Sequence, residues 1–136
     1  MTGAMGITSR VQHLFDQDRL LGLLGAELVS GGPGHVVLRY RVGADIVQAH
    51  GTCHGGVIFS LADAACGIAA SAGDTAAVTQ ICTVNFMRPA VIGTDLIATA
   101  TERSRAGRTI ILDVSVTDGG SQKPIAELRA TARLMT

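Results

Sequence analysis

The chain has 136 residues, a length that suits one domain around one core. It is 47% hydrophobic and 16% charged, which excludes a disordered chain, and 11 basic residues balance 11 acidic ones, which argues against a nucleic-acid surface. With no Trp, one Tyr and three Phe it also lacks the aromatic platforms on which single strands stack.

The three cysteines, Cys53, Cys66 and Cys82, are odd in number and fit no zinc spacing. They read as free thiols in a reducing cytoplasm. The opening MTGAMGITSRVQHLF lacks the charged-then-apolar pattern of a signal peptide, and no run reaches the roughly 18 apolar residues of a membrane span. A soluble cytoplasmic protein with no membrane partner is expected. The high apolar content with few charges points to an oligomer interface.

In chain order, residues 8–22 predict a helix, with Val11, Leu14, Phe15 and Leu21 near one stripe and Thr8 or Ser9 as cap. Residues 24–30 predict a short strand, and GGPG at 31–34 a turn. HVVLRYRV then alternates, with Val36, Leu38, Tyr40 and Val42 on one face. A loop from Asp45 leads to a long helix from Gly55 to about Ser71, whose Leu61, Ala62, Ala64, Ala65, Ile68, Ala69 and Ala70 leave almost no polar face. Four strands follow, over 76–87, 92–103, 108–117 and 124–135, with short links at 104–107 and 118–123 that predict an antiparallel meander. The expected architecture is α+β: one curved antiparallel sheet around a central buried helix, with a smaller N-terminal helix. A single domain spans residues 1–136.

Within this frame, HGGVIFSLAD at 54–63 stands out. Gly55 and Gly56 open the buried helix, where backbone N–H groups lack partners and carry partial positive charge. Glycine lets a ligand approach such amides closely, and they can hold a developing oxyanion. Asp63 sits among apolar neighbours with no local cation, an arrangement that packing alone does not explain. Eight residues separate Gly55 from Asp63, about 12 Å along a helix. One reacting carbonyl cannot touch both within one helix. Two antiparallel copies side by side would bring the glycine end of one chain to the aspartate of the other, so a catalytic motif implies a homodimer with two interfacial sites.

HGTCHGGVIFSLADAACGIAASAG, ICTVNFMRPAVIGTDL and the GRT turn resemble the hotdog-fold acyl-coenzyme A thioesterases of the phenylacetate-pathway type, PaaI, over roughly residues 10–135. The resemblance implies hydrolysis of an acyl-CoA thioester to a free acid and CoA, with no metal or redox cofactor. It implies that the Gly55 amide polarises the thioester carbonyl and that Asp63 acts from the opposing chain as nucleophile or as general base. It matches Gln48 to the side-chain amide that orients substrate or water, and gives His54 a supporting role in the loop. A hydroxyl on the facing strand is expected near the acid; Thr79 is the candidate, with Gln80 and Thr83 as competitors, because a one-residue slip swaps faces. Gly56, the Arg88-Pro89 strand end and the Arg108-Thr109 turn are the expected substrate contacts, with Arg105 as a further cation for the CoA phosphates. An aryl-acetyl or medium-chain acyl group, and a homodimer or a dimer of dimers, complete what the resemblance implies.

Other readings are weaker. His50 and His54 lie in a loop without a third ligand, so no metal site is expected. Cys53 beside His54 reads as loop packing, since sequence neighbours rarely face each other. A non-catalytic acyl-CoA-binding protein is the alternative, against which the retained Gly55, Gly56 and Asp63 speak. A hotdog dehydratase would use a different acid–histidine motif.

Overall fold

In a computed structural model, described for residues 6–136, two short helices precede a hairpin, a long helix and four further strands. The elements are α1 (Ser9–Gln17), α2 (Arg19–Leu24), β1 (Glu27–Gly32), β2 (His35–Arg41), α3 (Gly55–Ser71), β3 (Ala77–Phe86), β4 (Asp95–Ala106), β5 (Thr109–Asp118) and β6 (Pro124–Leu134). The six strands form one antiparallel sheet in the order β1-β2-β4-β5-β6-β3.

This order corrects the four-strand meander. Only β4, β5 and β6 follow each other across the sheet, while β3 crosses over to pair with β6 at the far edge. Link length reveals hairpins but not the neighbour of a strand that follows a long helix, because that choice belongs to the crossover. The N-terminal helix is also broken in two. Asp18 takes extended backbone angles, ends α1, and accepts the Leu21 N–H at 2.9 Å to cap α2. Thr8 caps α1 through the Val11 N–H. The first strand starts later than expected and absorbs Gly31 and Gly32, leaving Pro33 and Gly34 as the turn. β4 and β5 run on past residue 103 to a two-residue turn at Gly107 and Arg108, where Gly107 takes φ 59°.

The long helix keeps the expected limits. It packs against β2, β3, β4, β5 and β6 on the inner face of the sheet. Ala62, Ala65 and Ala69 of the helix and Ala98, Ala100, Ala126, Ala130 and Ala132 of the strands are all buried, so small side chains let the helix axis lie close to the sheet. Larger residues, among them Leu38, Leu61, Leu96, Leu112 and Val114, fill the remaining space.

Both ends of α3 are pinned. At the start, the Cys53 N–H donates to Ala90 O and the His54 N–H to Ile46 O. At the end, Ser71 Oγ donates to Ala77 O and accepts from the Ala77 N–H, while Arg10 Nε donates to the Ser71 carbonyl. These last bonds tie α1, α3 and the start of β3 into one unit.

Gly31 holds α1 against the sheet. Its amide donates to Gly6 O, and its carbonyl accepts from the Thr8 N–H. A Cβ there would lie 2.6 Å from Cγ1 of the fully buried Val11 and 3.3 Å from Cγ2 of Val36. Gly31→Ala should therefore destabilise the fold by about 1–3 kcal/mol through overpacking. Urea unfolding would register this, and a variant as stable as the parent would mean that α1 is free to shift.

Candidate functional site

The HGG motif enters α3 through backbone geometry. His54 is the N-cap residue, and its carbonyl accepts from the Val57 and Ile58 N–H groups. Its exposed imidazole makes no hydrogen bond to a described residue, so His54 supports the loop through its main chain. The amides of Gly55 and Gly56 have no acceptor among the described residues. A cavity of about 310 Å³ opens here, lined by Gln48, Thr52, Cys53, Gly55, Ile58, Phe86, Met87, Arg88 and Pro89. Gln48 is held in place because its Nε2 donates to Thr52 Oγ1 at 3.0 Å and its backbone N–H to Thr52 O at 2.8 Å. The Phe86 ring covers Gly55, with Cζ 3.3 Å from where a Cβ would stand, so a side chain here would press on the ring. Arg88 is exposed at the rim and ion-pairs with no described residue. Gly56 faces open space. Four expected residues, Gln48, Gly55, Arg88 and Pro89, thus share one cavity.

Asp63 lies elsewhere. It stands two turns further along α3, between two hollows. A cavity of about 460 Å³, open to the surface, runs under α1; Leu14, Gln17 and Asp18 line one side, Asp63, Ala64, Gly67, Ile68 and Ser71 form one helical stripe, and Ala77, Val78 and Thr79 line the other side. A second recess of about 300 Å³ opens along the sheet edge, lined by Phe59, Asp63, Thr79, Gln80, Ile81 and Cys82. Thr79 is the hydroxyl that faces the acid. β3 carries a bulge here: Thr79 pairs with Ala132 and Ile81 with Thr131, leaving Gln80 as the extra residue. The bulge shifts the inward face from Ala77 and Thr79 to Cys82 and Val84, and turns Thr83 outward. A strict period of two could not have separated the three candidates.

Burial pushes the Asp63 carboxyl above the ordinary aspartate value. The Asp18 carboxylate across the cavity pushes it the same way, and the Thr79 hydroxyl opposes both. Burial raises the Cys53 and Cys82 thiols and pushes Cys66 up to about 12. Cys53 is buried in the core beneath the loop.

The structure does not bring all the expected cations to one place. Arg108 donates from Nε to Leu134 O at 3.1 Å and from Nη2 to Met135 O at 3.2 Å. The Met135 N–H bonds Ala76 O, so Arg108 sits at the start of β3, near the Asp63 end and away from the Gly55 cavity. Thr109 lines none of these three hollows. Arg105 is held by Glu102 through two hydrogen bonds. Sequence reasoning did not single out Asp18, Gln17, Thr52, Phe86 or Met87. Asp18 was hidden within a helical pattern; its cap role for α2 was the available signal.

The raised Asp63 carboxyl has a consequence for stability. The folded chain binds this proton more tightly than the unfolded chain, whose aspartates titrate near about 4. Stability therefore falls as pH rises from about 4 through the folded value, and the cost is complete above it. Asp63→Asn removes that cost. Its melting temperature should exceed the parent's at pH 7.5, with the gap narrowing as the pH drops toward 4. A gap independent of pH would mean that burial does not strain this carboxylate.

This geometry has counterparts among known proteins. Residues 50–125 match the family model described as the thioesterase superfamily. The chain is 34% identical over 116 residues to the acyl-coenzyme A thioesterase PaaI of Escherichia coli K12, covering 85% of this chain and 82% of that protein. It is 30% identical over 119 residues to human acyl-coenzyme A thioesterase 13, covering 86% and 84%. The solved structure of E. coli PaaI superimposes with a TM-score of 0.90 at 31% identity, covering 93% of this chain and 91% of that one. A Streptococcus mutans protein bound to acetyl-CoA superimposes with a TM-score of 0.77 at 25% identity, covering 81% and 88%. With its six-stranded antiparallel sheet around one long helix and a match over more than half its length, the chain belongs to the thioesterase superfamily and has the hotdog fold.

Proposed function

We propose that this chain is a cytoplasmic, single-domain acyl-CoA thioesterase that works as a homodimer, alone or paired into a tetramer, with each active site built from two subunits. One observation carries this reading: a single chain gathers the expected site residues into two separate groups at opposite ends of β3. Gly55, Gln48 and Arg88 gather beside Phe86 and Met87, at the end of the strand. Asp63 and Thr79 gather beside Val78 and Ile81, near its start. β3 is an edge strand with exposed Val78, Ile81 and Phe86, and Met87 follows it. An unpaired apolar edge invites a partner strand. Antiparallel pairing of two β3 strands about a two-fold axis would lay the Gly55 end of one subunit against the Asp63 end of the other.

In such a site the Gly55 amide of one subunit polarises the thioester carbonyl and holds its oxyanion. Gln48, fixed by Thr52, orients substrate or water. The carboxylate of Asp63 from the other subunit attacks the carbonyl carbon or takes a proton from water that does so, and Thr79 positions it. The C–S bond breaks, and the coenzyme leaves as a thiolate that picks up a proton; on the nucleophilic route water then cleaves the acyl-aspartyl anhydride, freeing the acid and restoring the Asp63 carboxylate. A raised carboxyl suits this work, since it makes a stronger base at neutral pH. The same pairing would bring Arg88 of one subunit and Arg108 of the other toward one mouth, where both suit CoA phosphates. The thioester enters by the recess along β3, and the acyl group continues past Asp63 into the cavity under α1. A volume of about 460 Å³ suits an aryl-acetyl or medium-chain acyl group, of the phenylacetyl or hydroxyphenylacetyl kind. The chain's 30–34% identity to named acyl-CoA thioesterases supports the reaction class.

Asp63→Asn should lower thiol release from phenylacetyl-CoA by about a thousandfold or more. Gly55→Val, which pushes into the Phe86 ring and blocks the amide, should do the same. Refolding an equal mixture of these two inactive variants tests the shared site. Half of the dimers are then mixed, and one of their two sites has both native halves, so about a quarter of parental turnover should return. No recovery from verified mixed dimers would place the site within one chain and end this reading.

A further inference from the structure

We infer that Asp18, at the junction of α1 and α2, makes the acyl cavity selective by charge, so that the enzyme rejects acyl groups ending in a carboxylate and accepts neutral ones of the same length. The inference rests on placing the acyl group in the cavity under α1. Two carboxylates, Asp18 and Asp63, line that cavity, and no Lys, Arg or His does. The Arg10 guanidinium of α1 is turned onto the Ser71 carbonyl. The Asp18 carboxylate cannot swing away freely, because Oδ1 is fixed by the Leu21 N–H at 2.9 Å as the cap of α2. The rest of the lining is apolar or uncharged, so nothing within it compensates a third negative charge. A further carboxylate entering beside the half-buried Asp18 and Asp63 meets like-charge repulsion that is less screened than in bulk water.

Asp18 also acts on the reacting acid. The groups that bear on Asp63 are Asp18 from the helix junction, Thr79 and Cys82 from β3, and Cys66 from α3. Among them Asp18 is the carboxylate, and it helps to hold Asp63 basic. The group therefore has two effects: it filters the acyl end and raises the base.

Asp18→Asn separates charge from structure, since Asn caps a helix as well as Asp does. The measurement is kcat/KM for pentanoyl-CoA and for glutaryl-CoA, which have acyl chains of equal carbon number and differ in the terminal carboxylate. The parent should strongly prefer pentanoyl-CoA. In Asp18→Asn the glutaryl-to-pentanoyl ratio should rise about tenfold, and the acid limb of the pH profile should move to lower pH. A purely structural role for Asp18 would move neither. Gly67→Leu serves as the control for the cavity itself. A Cβ at Gly67 meets nothing within 4 Å, so a side chain there fits the fold and projects into the lining stripe. If Gly67→Leu shortens the accepted acyl chain while Asp18→Asn leaves the ratio unchanged, the cavity placement stands and the charge filter is overturned. If Gly67→Leu leaves chain-length preference untouched, the acyl group lies elsewhere and the placement fails with it. A parent enzyme that hydrolyses both substrates equally well also overturns the filter.

Discussion

The separation between the Gly55 amides and the Asp63 carboxylate, about 12 Å along one rigid helix, governs everything else about this molecule. An oxyanion donor must stand about 3 Å from its oxygen, and a base within hydrogen-bond reach of its proton. A helix locked at both ends by backbone bonds and buried against five strands cannot bend to close that gap. On the proposed reading each half of the motif is incomplete where it stands, and the dimer is the simplest geometry that completes it.

The edge position of β3 follows the same logic. Because the chain crosses over after α3, β3 lands beside β6 with its other side unpaired. The strand runs past both half-sites, from Thr79 near Asp63 to Phe86 over Gly55. A surface that carries both halves and leaves apolar side chains exposed suits strand pairing. The bulge at Gln80 adds a local correction, since it lets Thr79 face the acid while the rest of the strand keeps Cys82 and Val84 inward. Gly31 and the Arg10–Ser71 bond hold α1 over the cavity, which is how Asp18 comes to face Asp63 from more than forty residues away in sequence.

Asp63 illustrates the balance between stability and chemistry. Desolvation and a like charge make its ionised form costly, and among the described residues Thr79 relieves it. A natural sequence tolerates such a residue when the strained form does something useful. The ion pairs on the outer face are the opposite case. Asp113 lies between Arg103 and Arg129, and the Arg129 guanidinium above all holds it down to about 2, as befits a carboxylate whose charge is welcome.

Periodicity in the sequence was enough to define α3 from Gly55 to about Ser71, the inward face of β2, and the singular position of Asp63, because those signals come from side chains that alternate or recur along a local backbone. Spacing alone also ruled out one helix bringing Gly55 and Asp63 together. The break at Asp18, the crossover of β3, the bulge at Gln80 and the Phe86 ring over Gly55 were decided only in three dimensions. Each depends on which distant segment lies alongside: a cap residue inside a helical pattern, a strand choosing its neighbour after a crossover, or one extra residue absorbed in a ladder. Local propensity carries no information on those partners, whereas the packed sheet and helix select them by burial and by hydrogen-bond satisfaction.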